Sequence, residues 1–323
     1  MSSSGDLRFL IVGVGAIGSV YLTFLTKAGY QAVGLVKKGK RIDRIRVEGI
    51  WGEFETPVKT FDSVEEIPFT PDIIIISVKS YDTESALETV EPILGENTYL
   101  MIAQNGYGNY EKAVAKFGEG KVILSRIIFG SKVLKPGHVR ITVSADDVVV
   151  GDPSGKIEEG FLIELSKTFT KAGIPTRYDG EVYKYLWDKI IYNCALNPLG
   201  ALFEVNYGAL AENPYTRELM DRVIEEAFEV AKAAQIPSFW SSAEEYKKVF
   251  YEKLVPPTAA HYPSMLEDIK KGRTEIDALN GAIVELGKKF GIPTPTNEFI
   301  TNMVKAKERF SLNLKNAQEG LLG

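Results

Sequence analysis

Apolar residues fall into short strand-like blocks over the first half of this chain and into long helical periods over the second. Residues 7–12, Leu-Arg-Phe-Leu-Ile-Val, read as a buried strand; a helical period over 16–28 and a second strand over 31–36 follow. Further apolar runs at 73–78, 98–103 and 121–125 alternate with helical candidates at 83–94 and 110–117. Such alternation predicts an α/β domain, a parallel sheet with helices on both faces. Over 131–150 the character changes, because Lys135-Pro136-Gly137-His138 is a turn signal between two β-rich arms. This predicts an antiparallel addition to the same sheet. Residues 156–173 read as a helix, and after Ile174-Pro175-Thr176-Arg177-Tyr178-Asp179-Gly180 the strand signal ends. The boundary is therefore expected near Gly180, giving domains over 1–180 and 181–323. Helical candidates at 182–197, 213–234, 242–254, 262–271, 275–290 and 296–311 make the second domain all-helical.

The first of these helices has an unusual polar stripe. Lys189, Asn193 and Asn197 recur every four residues, and the other residues over 190–196 are apolar. Residues four apart share a helical face, so an ammonium and two carboxamides would line up over about 12 Å. Buried polar groups are costly without partners, which makes the stripe a candidate binding surface for a small polar ligand. The competing reading is a solvated outer face.

Gly13-Val14-Gly15-Ala16-Ile17-Gly18 falls where the first strand hands over to the first helix, the context that a dinucleotide-binding fingerprint requires. The first glycine permits the tight turn, the second lets a pyrophosphate approach the backbone, and the third lets helix and strand pack closely. Helix-terminal N–H groups would face the phosphates. At the end of the second strand an NAD site would place a carboxylate for the ribose 2′-hydroxyl. Here the run is Val36-Lys37-Lys38-Gly39-Lys40-Arg41. Lys37, with Lys38 or Arg41, would neutralise a 2′-phosphate, so NADPH is expected; the alternative is a solvated basic turn.

Composition narrows the class further. The 323 residues are 45% apolar with a net charge of -5, which fits two folded domains and gives no electrostatic footprint for nucleic acid. Cys194 is the only cysteine, so an intrachain disulfide or cysteine-rich metal site is ruled out, and a reducing cytoplasm is the simplest setting. The polar start, Met1-Ser2-Ser3-Ser4-Gly5-Asp6, lacks the pattern of a secretion signal. No window approaches the ~20 apolar residues of a membrane span. His138 and His261 stand far apart without an acidic motif, so no metal is expected.

Several separated motifs agree in order with one family. Besides Gly13 to Gly18 they are Ser77-Val78-Lys79, Gln104-Asn105-Gly106, Trp187-Asp188-Lys189 through Asn193 to Asn197-Pro198-Leu199, Ser264-Met265-Leu266-Glu267-Asp268, and Thr274-Glu275-Ile276-Asp277 with Asn280-Gly281. In these the chain resembles the ketopantoate reductases, or 2-dehydropantoate 2-reductases. The resemblance implies NADPH-dependent reduction of 2-dehydropantoate to (R)-pantoate, a step toward pantothenate and coenzyme A, in a cleft between a Rossmann-type doubly wound domain and a helical domain. It assigns Lys189 as the catalytic lysine and Asn193 and Asn197 as substrate-binding amides. It puts Asn105 beside the nicotinamide ribose and the keto acid, Lys79 near the cofactor, and Ser264 at the substrate carboxylate. Glu275 matches the acidic residue at the cofactor and substrate hydroxyl.

Each of the last three has a bland counterpart: Lys79 a solvated loop cation, Ser264 and Glu275 helix caps. The chain departs from the family pattern at His261, where an asparagine is expected, and near Tyr207, where Asn206 lies beside the position of a second asparagine. Both departures bear on which 2-oxo acid is taken. The alternatives are an NADP-dependent reductase of another 2-oxo acid, or a 3-hydroxy acid dehydrogenase, of the same plan, and a dinucleotide sensor without chemistry. A homodimer is the expected assembly.

Overall fold

The computed structural model describes residues 7–320; the amino-terminal segment 1–6 and residues 321–323 lie outside the described residues. The chain divides into two compact units, Met1–Tyr183 and Lys184–Gly323.

In the first unit β1 (Arg8–Val12), α1 (Ala16–Lys27) and β2 (Gln31–Leu35) open the chain. Three short strands follow, β3 (Arg44–Gly49), β4 (Phe54–Pro57) and β5 (Thr60–Phe61). Then come β6 (Ile73–Ile76), α2 (Thr83–Val90), β7 (Tyr99–Ile102), α3 (Asn109–Phe117) and β8 (Val122–Arg126). The unit ends with β9 (Phe129–Lys135), β10 (His138–Ser144), β11 (Val148–Gly151), α4 (Glu159–Ala172) and β12 (Thr176–Tyr178). Eight strands form one sheet in the order β12-β11-β8-β7-β6-β1-β2-β5. From β5 to β8 all neighbours are parallel, whereas β11 is antiparallel to β8. The four isoleucines of β6 are fully buried, as a central parallel strand covered on both faces requires.

Strand order reverses direction at β1: the chain moves one way to β2 and the other way through β6, β7 and β8. Right-handed crossovers then put α1 on one face and α2 and α3 on the other. Because β11 runs antiparallel, the same handedness returns α4 to the face of α1. The rings of Tyr21 and Phe169 accordingly meet at 5.3 Å.

The sequence pattern puts the 131–150 hairpin on the main sheet, and the structure corrects this. β9 and β10 do pair antiparallel, but they join β3 and β4 in a separate sheet, β4-β3-β10-β9. Val139 pairs with Val47 across the join. From that stretch only β11 joins the main sheet, antiparallel to β8, and β12 continues the sheet parallel to it. The small sheet packs on α1, where Phe24 meets Trp51 at 5.8 Å and Phe54 at 5.1 Å.

α5 (Val182–Phe203) starts at the end of the first unit. The second unit continues with α6 (Tyr207–Glu212), α7 (Pro214–Ala233) and α8 (Ala243–Val249), the last running into a π-helical turn, Phe250–Leu254. α9 (Ser264–Lys271), a 3-10 turn at Ile276–Ala278, α10 (Asn280–Phe290) and α11 (Pro295–Gly320) complete it. Among the described residues this unit contains no strand. α7 starts where a sequence rule puts it, with Pro214 in its first turn and Asn213 Oδ1 accepting from the Tyr215 N–H at 3.0 Å. α5 buries Trp187, Ile190, Ile191, Cys194, Leu196 and Leu199, and each such large apolar side chain contributes roughly 1.5–3 kcal/mol. Burial also pushes the Cys194 thiol pKa up. No described helix is long and apolar enough to cross a membrane.

Candidate active site

Three loops leave the carboxyl ends of β1, β6 and β7, which are neighbours at the point where strand order reverses. In open α/β sheets this is where ligands bind. The β1 loop is the glycine turn. Gly13 has φ +89°, and a Cβ there would lie 2.6 Å from Val78 Cγ1. At Gly18 a Cβ would stand 2.1 Å from the Gly13 carbonyl oxygen and 2.6 Å from Ser77 Oγ, so α1 can approach β1 only without a side chain. At Gly15 a Cβ would meet nothing within 4 Å. The space beside the helix start is open to a ligand. α1 has no side-chain cap and no acidic residue in its first turn, leaving its terminal N–H groups and positive dipole end suited to an anion.

The β6 and β7 loops are joined by a chain of hydrogen bonds. Gln104 Nε2 donates to the Val78 carbonyl and to Thr83 Oγ1, both at 2.8 Å. Thr83 donates on to Asn109 Oδ1 at 2.8 Å, and Asn109 Nδ2 donates to the Asn105 carbonyl at 2.9 Å. Gln104, Thr83 and Asn109 are all buried. The backbone of Asn105 is thus fixed from below, and its side chain stands half-buried in the loop above. Sequence reading gave a role to Asn105, named Gln104 and Ser77 only as motif members, and missed Thr83 and Asn109; the Ser77 hydroxyl donates to the Gly13 carbonyl at 2.8 Å. Small polar residues just beyond apolar strands were the available signal. Lys79 is partly exposed and precedes the 3-10 turn Ser80–Asp82.

The cations after β2 differ from one another. Arg41 is gripped by Asp62 and Glu66, each at 2.6 Å. Arg41, with the Gly39 N–H, holds the Asp62 carboxyl down at about 2. Lys37 extends into solvent with 81% of its side chain exposed and pairs with Asp82 at 2.9 Å. That pair reaches from the end of β2 to the turn after β6, the strands that flank β1. Lys38 and Lys40 are exposed and form no ion pair among the described residues.

In the second unit Lys189, Asn193 and Asn197 lie within α5 and so share one helical face, with successive members about 6 Å apart along the axis. Lys189 and Asn197 are half-buried, while Asn193 is only 7% exposed, which excludes a solvated outer face for it. Among the described residues the Asn193 carboxamide has no hydrogen-bond partner. Asn197 Oδ1 accepts from the Tyr207 hydroxyl at 2.6 Å, so its amide is oriented with the NH₂ left to donate. Tyr207 is buried, and its ring lies edge-on to Tyr192 at 6.0 Å and His261 at 5.3 Å. Burial lowers the His261 pKa and raises that of Tyr207.

Asn206, beside Tyr207, is engaged in its own helix. Its Oδ1 accepts from the Ala209 N–H at 2.9 Å and caps α6. The structure also corrects two capping readings. Pro263 is the N-cap of α9, and Ser264, its first residue, is exposed and makes no capping bond. Glu275, half-buried, precedes the 3-10 turn without capping it through its side chain, and α10 starts only at Asn280. Each unit thus gathers its own predicted residues: the glycine turn, Lys37, Lys79 and Asn105 at one sheet edge, and Lys189, Asn193 and Asn197 along one helix. Among the described residues no cluster of three or more histidine, cysteine or acidic side chains is arranged to hold a metal ion.

A glycine turn before an uncapped helix at the reversal point of a parallel sheet, followed by a helical unit with an ammonium and two amides on one face, matches the plan of a two-unit dinucleotide-linked oxidoreductase. The chain belongs to the ketopantoate reductase family. The family model described as ketopantoate reductase PanE/ApbA matches residues 9–155, and that of its C-terminal part matches residues 181–308. A 2-dehydropantoate 2-reductase of Aquifex aeolicus is 76% identical over 306 residues, covering 95% of this chain and 98% of that one. Among solved structures, the PanE/ApbA family ketopantoate reductase of Ralstonia eutropha JMP134 superposes with a TM-score of 0.82 at 26% identity, covering 95% of this chain and 100% of the other. A D-mandelate dehydrogenase complex with NADH and anilino(oxo)acetate has a TM-score of 0.84 at 24% identity, covering 94% and 99%, and shares the fold.

Proposed function

We propose that this chain is a 2-dehydropantoate 2-reductase, reducing the 2-keto group to the hydroxyl of (R)-pantoate with NADPH, as a soluble cytoplasmic step toward pantothenate and coenzyme A. The observation that carries the reading is the α5 face, with Asn193 buried and its carboxamide unpartnered between Lys189 and Asn197. The glycine turn fits a dinucleotide, since the Gly15 side is open and the α1 terminus is uncapped. Gly13 to Gly18 would hold the pyrophosphate and Asn105 the nicotinamide ribose, with Lys79 near the cofactor. Bound there, the reduced nicotinamide supplies the hydride.

Hydride delivery to a ketone carbon builds negative charge on its oxygen. The Lys189 ammonium stabilises that charge and donates the proton that completes the alcohol. Asn197, with its oxygen held by Tyr207, offers donors to the substrate carboxylate. Asn193 has both a donor and an acceptor to give, which suits a hydroxyl. Ser264 adds a donor for the carboxylate, and the Glu275 carboxylate accepts from a substrate or ribose hydroxyl. Preference for NADPH rests on Lys37 and Lys38. An exposed ion pair such as Lys37–Asp82 is worth only about 0–1 kcal/mol, so a phosphate can compete for the lysine. Arg41, already held by two carboxylates, contributes less to that preference.

Following NADPH absorbance with 2-dehydropantoate beside a panel of other 2-oxo acids tests chemistry, cofactor and substrate together. Turnover only with another acid would point to a sister reductase whose pocket is reshaped by Tyr207 and His261. NADPH binding without turnover on any acid would leave a sensor. The homodimer belongs to the same proposal: Phe299, Met303, Phe310 and Leu314 form an exposed apolar stripe on α11 that a second copy would cover. A monomeric sedimentation coefficient would refute it.

A further inference from the structure

Pro198 lies inside α5, between the turn that carries Asn193 and the rest of the helix. A proline has no N–H, so the i→i−4 hydrogen bond to the Cys194 carbonyl is missing. That carbonyl belongs to a fully buried residue and needs another donor. Asn280 supplies it: its Nδ2 donates to the Cys194 oxygen at 3.1 Å. Asn280 is itself fully buried as the first residue of α10, and it gives its other N–H to Asn297 Oδ1 at 3.0 Å.

The direction of this chain is set at its far end. Asn297 Nδ2 donates to Glu226 Oε2 at 2.7 Å. The same carboxylate accepts from the Thr296 and Asn297 N–H groups at 2.8 and 2.9 Å, at the start of α11. An ionised carboxylate only accepts, so Asn297 must turn its NH₂ to Glu226 and its oxygen to Asn280. Asn280 must then present its NH₂ to both Asn297 and Cys194. Four helices, α7, α11, α10 and α5, are thereby coupled to a single carbonyl. The Asn280 oxygen is left buried and unpartnered, so both hydrogen bonds of this side chain are ones it donates.

We infer that Asn280 is a positioning residue for the substrate face: it stands in for the N–H that Pro198 removes and fixes the α5 turn between Asn193 and Asn197. The assignment builds on the proposed reductase function, although the replaced hydrogen bond does not depend on it. The proline keeps the turn free of its own helical bond, and the asparagine decides where it rests.

The test combines Asn280→Leu and Pro198→Ala, singly and together, with Asn280→Ala in place of the leucine variant if that one does not fold. Steady-state constants, NADPH affinity and melting temperature are read for each. Asn280→Leu should raise KM for 2-dehydropantoate at least about tenfold, because small misplacements of binding groups are costly, with NADPH affinity unmoved. Adding Pro198→Ala restores an N–H to the Cys194 carbonyl and should recover most of that loss. A wild-type KM in Asn280→Leu, or a loss that Pro198→Ala leaves unrepaired, would overturn the assignment. If the wild-type chain turns over no 2-oxo acid, the reductase reading fails instead. The melting temperatures then decide: the two substitutions must be coupled, the double variant melting above Asn280→Leu, and additivity would sink the stand-in hydrogen bond.

Discussion

Replacing Gly15 and Gly18 by alanine, one at a time, should separate ligand binding from packing within one six-residue turn. At Gly18 the new methyl would stand 2.1 Å from the Gly13 carbonyl oxygen, with Ser77 Oγ at 2.6 Å. The nearer atom is backbone, so α1 itself must move by about 1 Å, and overpacking of this kind costs ~1–3 kcal/mol, here at the upper end. Alanine in a helix returns ~1 kcal/mol relative to glycine, leaving a net loss of about 2 kcal/mol. At Gly15 the methyl meets no protein atom within 4 Å and the backbone has ordinary φ of -90°, so stability should stay within about 0.5 kcal/mol of the parent. The same methyl would occupy the space assigned to the pyrophosphate, and a tenfold weaker NADPH is a modest expectation. At an NADPH concentration of ~100 times the parental Kd, ligand stabilisation is about 2.7 kcal/mol, and a tenfold weaker site reduces it to about 1.4 kcal/mol. Thermal unfolding with and without NADPH, together with direct titration, reads both quantities. A Gly15→Ala chain that binds NADPH like the parent would refute the placement of the pyrophosphate.

Lys189→Ala should lower kcat by about 10²–10⁴-fold, the usual range for a lost acid, while NADPH affinity stays within about twofold; unimpaired turnover would remove Lys189 from the chemistry. Lys37→Glu with Lys38→Glu should cut the NADPH over NADH preference at least about tenfold, since a like charge then faces the 2′-phosphate, and equal kcat/KM ratios in parent and variant would place that phosphate elsewhere. His261 is held below the ordinary imidazole value of 6.5 by burial, so the unfolded chain takes up its proton first as pH falls. Its contribution is therefore undiminished above 6.5 and is lost as pH drops below that value. Denaturant titrations of the parent should show this loss and those of His261→Phe a flatter profile; identical profiles would show that the imidazole titrates as in water.

Where local pattern alone decides structure, the sequence was readable. β1, the glycine turn and α1 could be read because an apolar block, three glycines and a helical period follow one another without interruption. The α5 stripe could be read because its polar residues keep the helical period amid apolar ones. β3 shows what local pattern misses: its alternation over Arg44-Ile45-Arg46-Val47 is too short to stand out. Its partner β10 lies far along the chain, with Val47 against Val139. No propensity encodes that pairing, so the hairpin was given to the wrong sheet. α6 was missed because it is a single short turn-like helix whose start depends on Asn206 acting as a cap. The site follows the same division. Lys189, Asn193 and Asn197 come from one helix and carry their own spacing, whereas Tyr207 reaching Asn197 and Asn280 reaching Cys194 are tertiary contacts. They became visible only when the helices packed.

Cys194, the lone thiol, sits fully buried on α5 between Asn193 and Ala195, and its burial disfavours the thiolate that alkylating reagents attack. In the closed state it is chemically silent. Labelling must therefore wait until the helical unit opens, and its rate under mild conditions is a direct gauge of how often the packing around α5 comes apart. With no competing sulfhydryl, that gauge comes built in, without an engineered probe.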